Sequence, residues 1–365
     1  MTMRWLSSDL DQDSILLAGD VGGTNTNLAL VGEKRGRYTL IAKMQRPSAE
    51  VTDILEPVFH LLYSVAERYP HLKPQACCIS AAGPVEHNRC RMTNCRWDVD
   101  GNRVQSETGI ETVVINDFLA ISHAVPHLDV EDAEKIVKVP HPDGSLPPES
   151  GGVKLVIGPG TGLGVGFLVP VNGSYIPFPS EGGHSDFAPY DSHTRDLCEF
   201  VRGSMPVKSG VEPFVSGQGI VNIYRFLRQR GPVETDDILR MVDAAPDTQK
   251  PALIERYRME NEICRETVTL FLGMLGNFTG SLCAVFLPMG GVYIAGGMVA
   301  RNGNLILENE VFMKHFSRNY RASIEGILNK IPVYLIRDYS ISLYGAAGAA
   351  VRLIRDKQFQ GIGSV

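Results

Sequence analysis

Residues 15–31 read ILLAGDVGGTNTNLALV, two short apolar runs joined by a glycine turn. Apolar runs of this length, bounded by Gly and Asn, are typical of β-strands, so the stretch predicts a hairpin. This turn is neither a Walker A loop nor a Rossmann turn. Both of those need a helix after the glycines, and Walker A also needs a lysine at its end. A third apolar run at 37–45 extends the hairpin to an antiparallel meander.

The same pattern returns at 154–169, which reads KLVIGPGTGLGVGFLV. Two strand–glycine–strand hairpins in one chain suggest a duplicated fold. A chain of 365 residues is also too long for one compact core, so two domains are expected. Together the hairpins favour an α/β protein in which a nucleotide is clamped between domains.

Composition argues against several classes of protein. The net charge is −6 and no Lys or Arg run is present, which argues against a nucleic-acid partner. Seven cysteines without a C-x-x-C pair favour reduced thiols over a disulfide framework or a structural zinc site. The first fourteen residues, MTMRWLSSDLDQDS, carry acids where a signal peptide would be apolar, so a cytoplasmic protein is expected.

Periodicity predicts the remaining elements. Strands are predicted at 76–85, 112–118, within 292–299 and at 332–338. Helices are predicted at 54–69, 194–202, 217–230, 234–244, 251–286, around 305–316 and around 343–357. The segment 140–152, rich in Pro, Gly and Ser, is predicted to be an exposed loop near the start of the second domain.

Residues 267–300 contain no charged side chain and could be mistaken for a membrane span. Gly276 and Gly280 even match a transmembrane dimer motif. However, Pro288 and the two glycines after Met289 interrupt the run. A core helix followed by a core strand is the favoured interpretation, and no membrane partner is expected.

The glycine turns have a functional and a purely structural interpretation. In the functional interpretation, the glycines of a turn let backbone N–H groups converge on a phosphate, and polar side chains of the turn add hydrogen-bond donors. The first glycine turn comprises Gly22, Gly23, Thr24 and Asn25. Asp20, before the turn, could orient hydrated Mg²⁺, since Mg²⁺ prefers one or two carboxylates together with phosphate and water. A plain hairpin explains the same residues about equally well.

Two further glycine segments are candidates. The second hairpin carries Gly160, Thr161 and Gly162, more glycine than turning requires. Gly296 and Gly297 close an apolar run, where flat backbone could meet an adenine and its ribose. A close contact between a helix and a strand would account for this last pair equally well.

The stretch SEGGHSDFAP, residues 180–189, places Glu181 and His184 three positions apart across two glycines. The pair could be half of a metal site, a catalytic dyad, or two groups aimed at an uncharged ligand. No third metal ligand occurs at a credible spacing. Elsewhere, Asn116 and Asp117 end a predicted strand, where the carboxylate could act as a general base or belong to a simple turn.

Six motifs, in this order, resemble those of the bacterial-type glucokinases of the sugar kinase/actin/Hsp70 superfamily. They are DVGGTN, INDFLA, GPGTGLGVGFL, SEGGHSDFAP, VSGQGIVNIY and GGVYIAGGMV, and the similarity runs from about residue 15 to 353. The C-x-C-G-x-x-G-C zinc cluster of the related repressor/ORF/kinase family is absent from the sequence. The resemblance therefore points to the glucokinases proper.

The resemblance implies a two-domain α/β fold of the actin-like ATPase type, a duplicated ribonuclease H-like fold with a cleft between a small and a large domain. It implies a small domain at 14–126, completed by 338–365, and a large domain at 127–337. It also implies transfer of the γ-phosphoryl group of ATP to the 6-hydroxyl of glucose, with Mg²⁺, in a homodimer.

The resemblance also implies a role for each candidate. Asp117 resembles the catalytic base. Asn116, Glu181, His184 and Glu212 resemble the shell around the sugar hydroxyls. The nucleotide and its Mg²⁺ are implied to bind at Asp20, Gly22, Gly23, Thr24, Asn25, Gly160, Thr161, Gly162, Gly296 and Gly297, and Gly182 and Gly183 are expected to leave space for a sugar edge.

Some residues depart from the family pattern, namely Pro159, Thr26, Asn27, Gln218 and the segment 339–342. None of these changes removes a polar group that the chemistry needs, although Gln218 could shift sugar preference. The alternatives are a kinase of another hexose, such as mannose or glucosamine, and a non-catalytic sugar- or nucleotide-binding regulator. A hydrolase built on Glu181 and His184 finds no support, because no G-x-S-x-G motif is present.

Overall fold

The computed structural model describes residues 2–92, 95, 97–178, 180–203, 210–231, 236–308, 310–338 and 340–362. The chain divides into two compact units. Unit 1 comprises Met1–Leu128 and Tyr339–Val365, and unit 2 comprises Asp129–Asp338.

Both units contain strands and helices. The strands are β1 (Thr2–Trp5), β2 (Ser14–Val21), β3 (Asn25–Lys34), β4 (Arg37–Pro47), β5 (Ala76–Ala81), β6 (Val85–Glu86), β7 (Arg89–Cys90), β8 (Val99–Asp100), β9 (Glu111–Asn116), β10 (Ile136–Val139), β11 (Lys154–Pro159), β12 (Leu163–Val171), β13 (Ser174–Phe178), β14 (Val292–Ile294) and β15 (Val333–Ile336). The α-helices are α1 (Leu55–Arg68), α2 (Gly101–Thr108), α3 (Asp117–Ala124), α4 (Ser192–Gly203), α5 (Gly217–Arg230), α6 (Asp237–Ala244), α7 (Lys250–Tyr257), α8 (Glu262–Phe286), α9 (Gly297–Glu308), α10 (Val311–Ser317), α11 (Ala322–Leu328) and α12 (Ile341–Ile362).

Unit 1 is built on a six-stranded sheet in the order β1-β4-β3-β2-β5-β9. The first four strands are antiparallel, and β2, β5 and β9 run parallel. Alternate residues of β2 point to opposite faces. Leu17 lies in the cluster that contains Val58 and Leu61 of α1, and Leu16 lies in the cluster that contains Ala346 of α12. The sheet is therefore covered on both faces, which explains its continuous apolar strands.

Unit 2 repeats this architecture. Its sheet has the order β10-β15-β14-β11-β12-β13. The three-strand meander β13-β12-β11 continues into the parallel strands β14 and β15, as β4-β3-β2 continues into β5 and β9. The units differ in their sixth strand, since β1 pairs with β4 at the meander edge whereas β10 pairs with β15 at the opposite edge. The duplication that the two glycine hairpins predicted is therefore confirmed.

Several predicted elements differ from the structure at their boundaries. The helix predicted over 251–286 is wrong, because two helices occupy this range. Helix α7 ends at Tyr257, and Asn261 caps α8 by accepting a hydrogen bond from the Cys264 N–H at 3.1 Å. The predicted helix around 305–316 is likewise two helices, α9 and α10. The strand predicted to reach residue 118 ends at Asn116, and Asp117 begins α3.

Helix α8 is long and apolar enough to cross a membrane by composition alone, and it is the single such helix in the described part of the chain. Its most apolar window is 61% buried inside the protein. Gly276 and Gly280 lie against α10, where a Cβ atom would overlap the carbonyl oxygens of Phe312 and Phe316. The glycine pair thus packs two helices of one unit, which supports the core-helix interpretation.

All seven cysteines are free thiols, as predicted. Six are buried and Cys95 is half-buried. Burial raises the pKa of several of these thiols, Cys90 to about 11 among them. The cysteines therefore behave as core residues.

Candidate active site

Asp20 lies at the carboxyl end of β2 and is held by neutral donors of neighbouring strands. Its Oδ1 atom accepts a hydrogen bond from the Ser80 hydroxyl of β5 at 3.1 Å, and its Oδ2 atom lies 3.5 Å from the Asn27 amide of β3. Burial raises the pKa of this carboxyl, while hydrogen bonds from Ser342, Ser80 and Asn27 and the charge of Lys43 oppose the rise. The carboxylate is thus oriented by its neighbours.

The first glycine turn is braced from behind. The Gly22 N–H donates to the Asn25 carbonyl at 2.9 Å, which closes the turn. Ser48 donates its hydroxyl to the Gly22 carbonyl at 2.7 Å and its N–H to the Thr24 carbonyl at 2.9 Å. Gly23 and Thr24 are exposed at the tip. Because the carbonyl groups are bonded on the inner side, the exposed tip is free to present donors to a ligand.

Asn116 and Asp117 mark the junction of β9 with α3. The Asn116 side chain caps the helix by accepting hydrogen bonds from the N–H groups of Phe118 and Leu119, and its amide donates to the Gly83 carbonyl at 3.2 Å. Asp117 Oδ1 accepts a hydrogen bond from the Phe118 N–H at 2.9 Å. Asp117 is therefore the first residue of α3, whose start is capped by Asn116, and the prediction that Asp117 ends a strand is wrong.

Burial raises the pKa of Asp117 to about 6. The hydrogen bond from Phe118 opposes this rise, whereas the negative charge of Asp20 adds to it. The two carboxylates lie at the same end of the sheet, where the parallel strands have their carboxyl ends. Asp20 of β2 pairs in register with Ser80 of β5, and Ser80 pairs with Ile115 of β9. Carboxyl ends of parallel strands are where α/β sheets carry their functional groups.

In unit 2, the second glycine turn joins β11 to β12. The Gly160 N–H donates to the Gly162 carbonyl at 2.8 Å, and Thr161 is exposed at the tip. The Gly160 carbonyl accepts the N–H of Gly217, the first residue of α5, at 2.8 Å. A helix start therefore abuts this turn, and the electropositive end of a helix favours a bound phosphate.

Glu212 contacts the same turn. Its Oε2 atom accepts a hydrogen bond from the Leu163 N–H at 2.9 Å. A Cβ atom on Gly162 would lie 2.5 Å from that oxygen, so a larger residue there would displace the Glu212 carboxylate from the turn. Glu212, a candidate for binding the sugar, thus contacts a turn that is a candidate for binding phosphate. This contact was not predicted from sequence, because residues 163 and 212 share no local pattern.

Gly296 follows β14 and has a φ of +102°, a conformation that favours glycine. A Cβ atom at this position would lie 2.9 Å from the Pro159 carbonyl oxygen at the end of β11. Gly297 begins α9. The close backbone approach is therefore observed at Gly296, beside the end of β11.

Glu181 and His184 are both exposed, with 91% and 64% of their side chains accessible. The His184 Nε2 and Glu181 Oε2 atoms are 3.7 Å apart, too far for a good hydrogen bond. Gly182–His184 forms a turn of 3₁₀ helix. A Cβ atom on Gly183 would overlap the Leu163 carbonyl oxygen, and one on Gly182 would lie 3.0 Å from Val165.

The expectation that Gly182 and Gly183 leave room for a sugar edge is therefore wrong for Gly183, which is buried against β12. Its role is to let the 3₁₀ turn dock on the second hairpin. Glu181 and His184 project from this docked turn into solvent, which leaves them accessible to a polar ligand. Within the described residues, no group of three or more His, Cys, Asp or Glu side chains could hold a metal ion.

The structure brings the candidates together in two groups. Unit 1 contains Asp20, Gly22, Gly23, Thr24, Asn25, Asn116 and Asp117, and unit 2 contains Gly160, Thr161, Gly162, Glu181, His184, Glu212, Gly296 and Gly297. Ser48, Ser80 and Gly217 support these residues and were not singled out from sequence. Asn27, noted only as a departure from the family pattern, is one of the supports of Asp20.

Comparison with known proteins identifies close relatives. The family model for glucokinase matches residues 17–353. A glucokinase of Nostoc punctiforme is 35% identical over 356 residues, which cover 93% of this chain and all of the relative. Among solved structures, the glucokinase of an Antarctic psychrotroph has a TM-score of 0.77 and 27% identity, covering 93% of this chain and all of the other.

A glucokinase of the ROK family from Streptomyces griseus, solved with glucose and AMPPNP, has a TM-score of 0.59 and 19% identity, covering 93% of this chain and 99% of the other. At that identity the likeness concerns the fold alone. These neighbours are sugar kinases of the actin-like ATPase fold, so the predicted fold class is confirmed.

Proposed function

The chain belongs to the glucokinase family, and from this premise we propose how its own residues transfer the γ-phosphoryl group of ATP to the 6-hydroxyl of glucose. The activity, ATP-dependent phosphorylation of glucose, follows from membership of the family. The observation that carries the residue assignment is the carboxyl end of the parallel strands of unit 1, where Asp20 lies near the end of β2, Asp117 directly follows β9, and both carboxyl groups have raised pKa values.

Asp117 is the general base. A hydroxyl is a weak nucleophile, and a carboxylate within hydrogen-bond reach accepts its proton as the new bond to phosphorus forms. The sugar oxygen then holds the γ-phosphoryl group, the bond to the β-phosphate oxygen breaks, ADP leaves, and the proton stays on the Asp117 carboxyl. A pKa of about 6 suits this role, since the group is mostly ionised at neutral pH and still basic enough to take a proton.

Asp20 would hold Mg²⁺ through bound water. The residues present fit this ion, because Mg²⁺ is usually bound by one or two carboxylates and completes its shell with water and substrate phosphate. Ser80 and Asn27 orient the carboxylate and bring no competing charge. When bound, Mg²⁺ would neutralise negative charge on the phosphates, and Asp20 would fix its position.

The glycine turns are assigned to ATP. The first turn, Gly22 to Asn25, presents the exposed Gly23 and Thr24 to phosphate oxygens, while Ser48 fixes the turn from behind. The second turn, Gly160 to Gly162, would do the same beside the N-terminus of α5. Gly296 and Gly297, which have no side chain to cover their backbone, are assigned to the adenosine.

The sugar hydroxyls are assigned to Asn116, Glu181, His184 and Glu212. Carboxylates accept hydrogen bonds from hydroxyl protons, and an amide or an imidazole N–H donates to hydroxyl oxygens. Glu181 and His184 project into solvent and are available for such bonds. Asn116 uses its Oδ1 atom as a helix cap and one amide N–H on the Gly83 carbonyl, so its second amide N–H is the part that would reach a sugar oxygen.

We further propose that residues 14–126 with 338–365 act as the small domain and 127–337 as the large domain, and that the enzyme is a cytoplasmic homodimer. A coupled assay of glucose 6-phosphate formation tests the central proposal, with a no-sugar control and with mannose and glucosamine as alternative acceptors. Turnover with glucose and ATP that falls to background in the absence of sugar is expected. A purified enzyme that prefers another hexose would overturn the substrate assignment.

A further inference from the structure

A cavity of about 450 Å³ lies in unit 2, beside helices α8 and α10. Its walls include Tyr190, Asn277, Ser281, His315 and Arg318. None of these residues belongs to the glycine turns or to the Glu181–His184 turn. The proposed transfer reaction leaves the cavity without a role.

The walls are fixed by backbone packing. Gly276 and Gly280 let α10 approach α8 so closely that no side chain would fit between them. Gly273 of α8 makes a similar approach, since a Cβ atom there would lie 3.0 Å from the Tyr190 hydroxyl oxygen. The rings of Tyr190 and His315 are 4.7 Å apart. The cavity is thus preformed, and its volume is that of a small-ligand site.

The cavity is lined by hydrogen-bond donors and by one fixed positive charge. Arg318 lies at the end of α10, and within the described residues it has no carboxylate partner. Among the residues that the structure describes, no acidic side chain lines the cavity. The Asp191 carboxylate close by already accepts hydrogen bonds from the Thr194 N–H at 2.8 Å and from the Thr194 hydroxyl at 2.7 Å.

His315 also lines this cavity. Burial and the charge of Arg318 lower its pKa, while Asp191 has the opposite effect. A neutral imidazole has one donor and one acceptor nitrogen, which suits a hydroxyl group. Asn277, Ser281 and Tyr190 add uncharged polar groups of the same kind. Arginine, in contrast, is the side chain best suited to a phosphate.

We propose that this cavity is a second ligand site that binds a hexose phosphate, with the phosphate on Arg318 and the hydroxyl groups on Asn277, Ser281 and His315. Tyr190 and the exposed Tyr320 would flank the sugar ring. The site is separate from the transfer reaction. Only the choice of glucose 6-phosphate as the probe rests on the proposed function.

The His315 ring proton signal in NMR tests the proposal, after assignment with the His315→Gln variant. The enzyme is first saturated with glucose and a non-hydrolysable ATP analogue, so that the probe cannot act through the active site. Added glucose 6-phosphate is expected to shift the signal in a saturable way and to raise the pKa of His315. Inorganic phosphate is expected to bind at least about tenfold more weakly, because it lacks the hydroxyl contacts.

Arg318→Ala is expected to weaken glucose 6-phosphate binding about tenfold or more. Arg265→Ala is the matched control, since its guanidinium group lies 3.6 Å from the Glu262 carboxylate and does not line the cavity. The proposal is overturned if no saturable shift occurs, if Arg318→Ala binds like the unchanged enzyme, or if inorganic phosphate binds as tightly as the ester. No turnover is needed, so a failed kinase assay would not affect this result.

Discussion

Glu212 binds the backbone of the second glycine turn, because its Oε2 atom accepts the Leu163 N–H at 2.9 Å. The same carboxylate is assigned to a sugar hydroxyl. One side chain can therefore connect the sugar ligands with the turn assigned to ATP. In the described part of the chain, no hydrogen bond joins the Glu181 side chain, which is 91% exposed, to this turn.

Replacement of Glu212 should affect both substrates. We expect Glu212→Ala to raise the KM for glucose and the KM for ATP about tenfold or more each, since the sugar loses a ligand and the turn loses its brace. Glu212→Gln keeps an oxygen for Leu163 and should raise mainly the KM for glucose. Steady-state kinetics with both substrates varied measures this.

Glu181→Gln serves as the control for that series. It should raise the KM for glucose strongly and leave the KM for ATP nearly unchanged. If Glu212→Ala leaves the KM for ATP at the level of Glu181→Gln, the bond to Leu163 has no part in nucleotide binding.

Removal of the base should stop the chemistry without removing the sugar site. Asp117→Ala or Asp117→Asn is expected to lower kcat by about 10²–10⁴-fold, the usual contribution of a positioned general base. Glucose affinity, measured by equilibrium binding, should stay within about tenfold. Retained kcat in purified Asp117→Ala would end the assignment.

The raised pKa of Asp117 predicts how activity and stability depend on pH. The base must be ionised, so kcat/KM should rise with pH through about 6 and level off above it. The folded-state pKa lies above the ordinary value of 3.8, so the folded state binds the proton more tightly than the unfolded state does. Stability from this group is therefore present below about pH 4 and lost as the pH rises through 6.

Asp117→Asn provides the stability measurement, because the amide carries no charge at any of these pH values. Its thermal midpoint should exceed that of the unchanged enzyme at pH 7.5, and the difference should shrink towards pH 5. An equal difference at both pH values would show that the carboxyl does not titrate in this range.

The metal proposal is tested at Asp20. Asp20→Asn should raise the Mg²⁺ concentration needed for half-maximal activity and lower kcat, because a neutral amide binds Mg²⁺ poorly. Ser80→Ala removes only the hydrogen bond that orients the carboxylate and should have a smaller effect in the same direction. An activity curve against Mg²⁺ that is unchanged in Asp20→Asn would contradict the role.

Local signals made the two hairpins predictable. Short continuous apolar runs on either side of a Gly-rich turn are strong short-range patterns, and helix α5 was predicted with its observed bounds. The break before α8 was not predicted, although Asn261 is a good helix cap. Apolar residues keep a helical spacing on both sides of Asn261, and this pattern counted for more than a single capping residue. Short elements such as β10 and α11 carry too few periodic residues to be detected.

The supports of the site could not be predicted for a different reason. Ser80 reaches Asp20 across sixty positions of sequence, and Ser48 reaches Gly22 across twenty-six. Such pairs arise only when strands and loops are in register, and no local pattern records them. The motif residues themselves were found because their chemistry is concentrated in short stretches.

The glycines of α8 allow a final test of the packing described above. Alanine is normally favoured over glycine in a helix by about 0.5–1 kcal/mol. At Gly276, however, the added methyl would overlap the Phe312 carbonyl oxygen, and forcing such overlap typically costs about 1–3 kcal/mol. Gly326 of α11 is exposed, and a Cβ atom there meets nothing within 4 Å. Gly276→Ala should therefore lower the thermal midpoint and Gly326→Ala should raise it slightly. A stabilised Gly276→Ala would show that α8 and α10 are farther apart than their glycine contacts require.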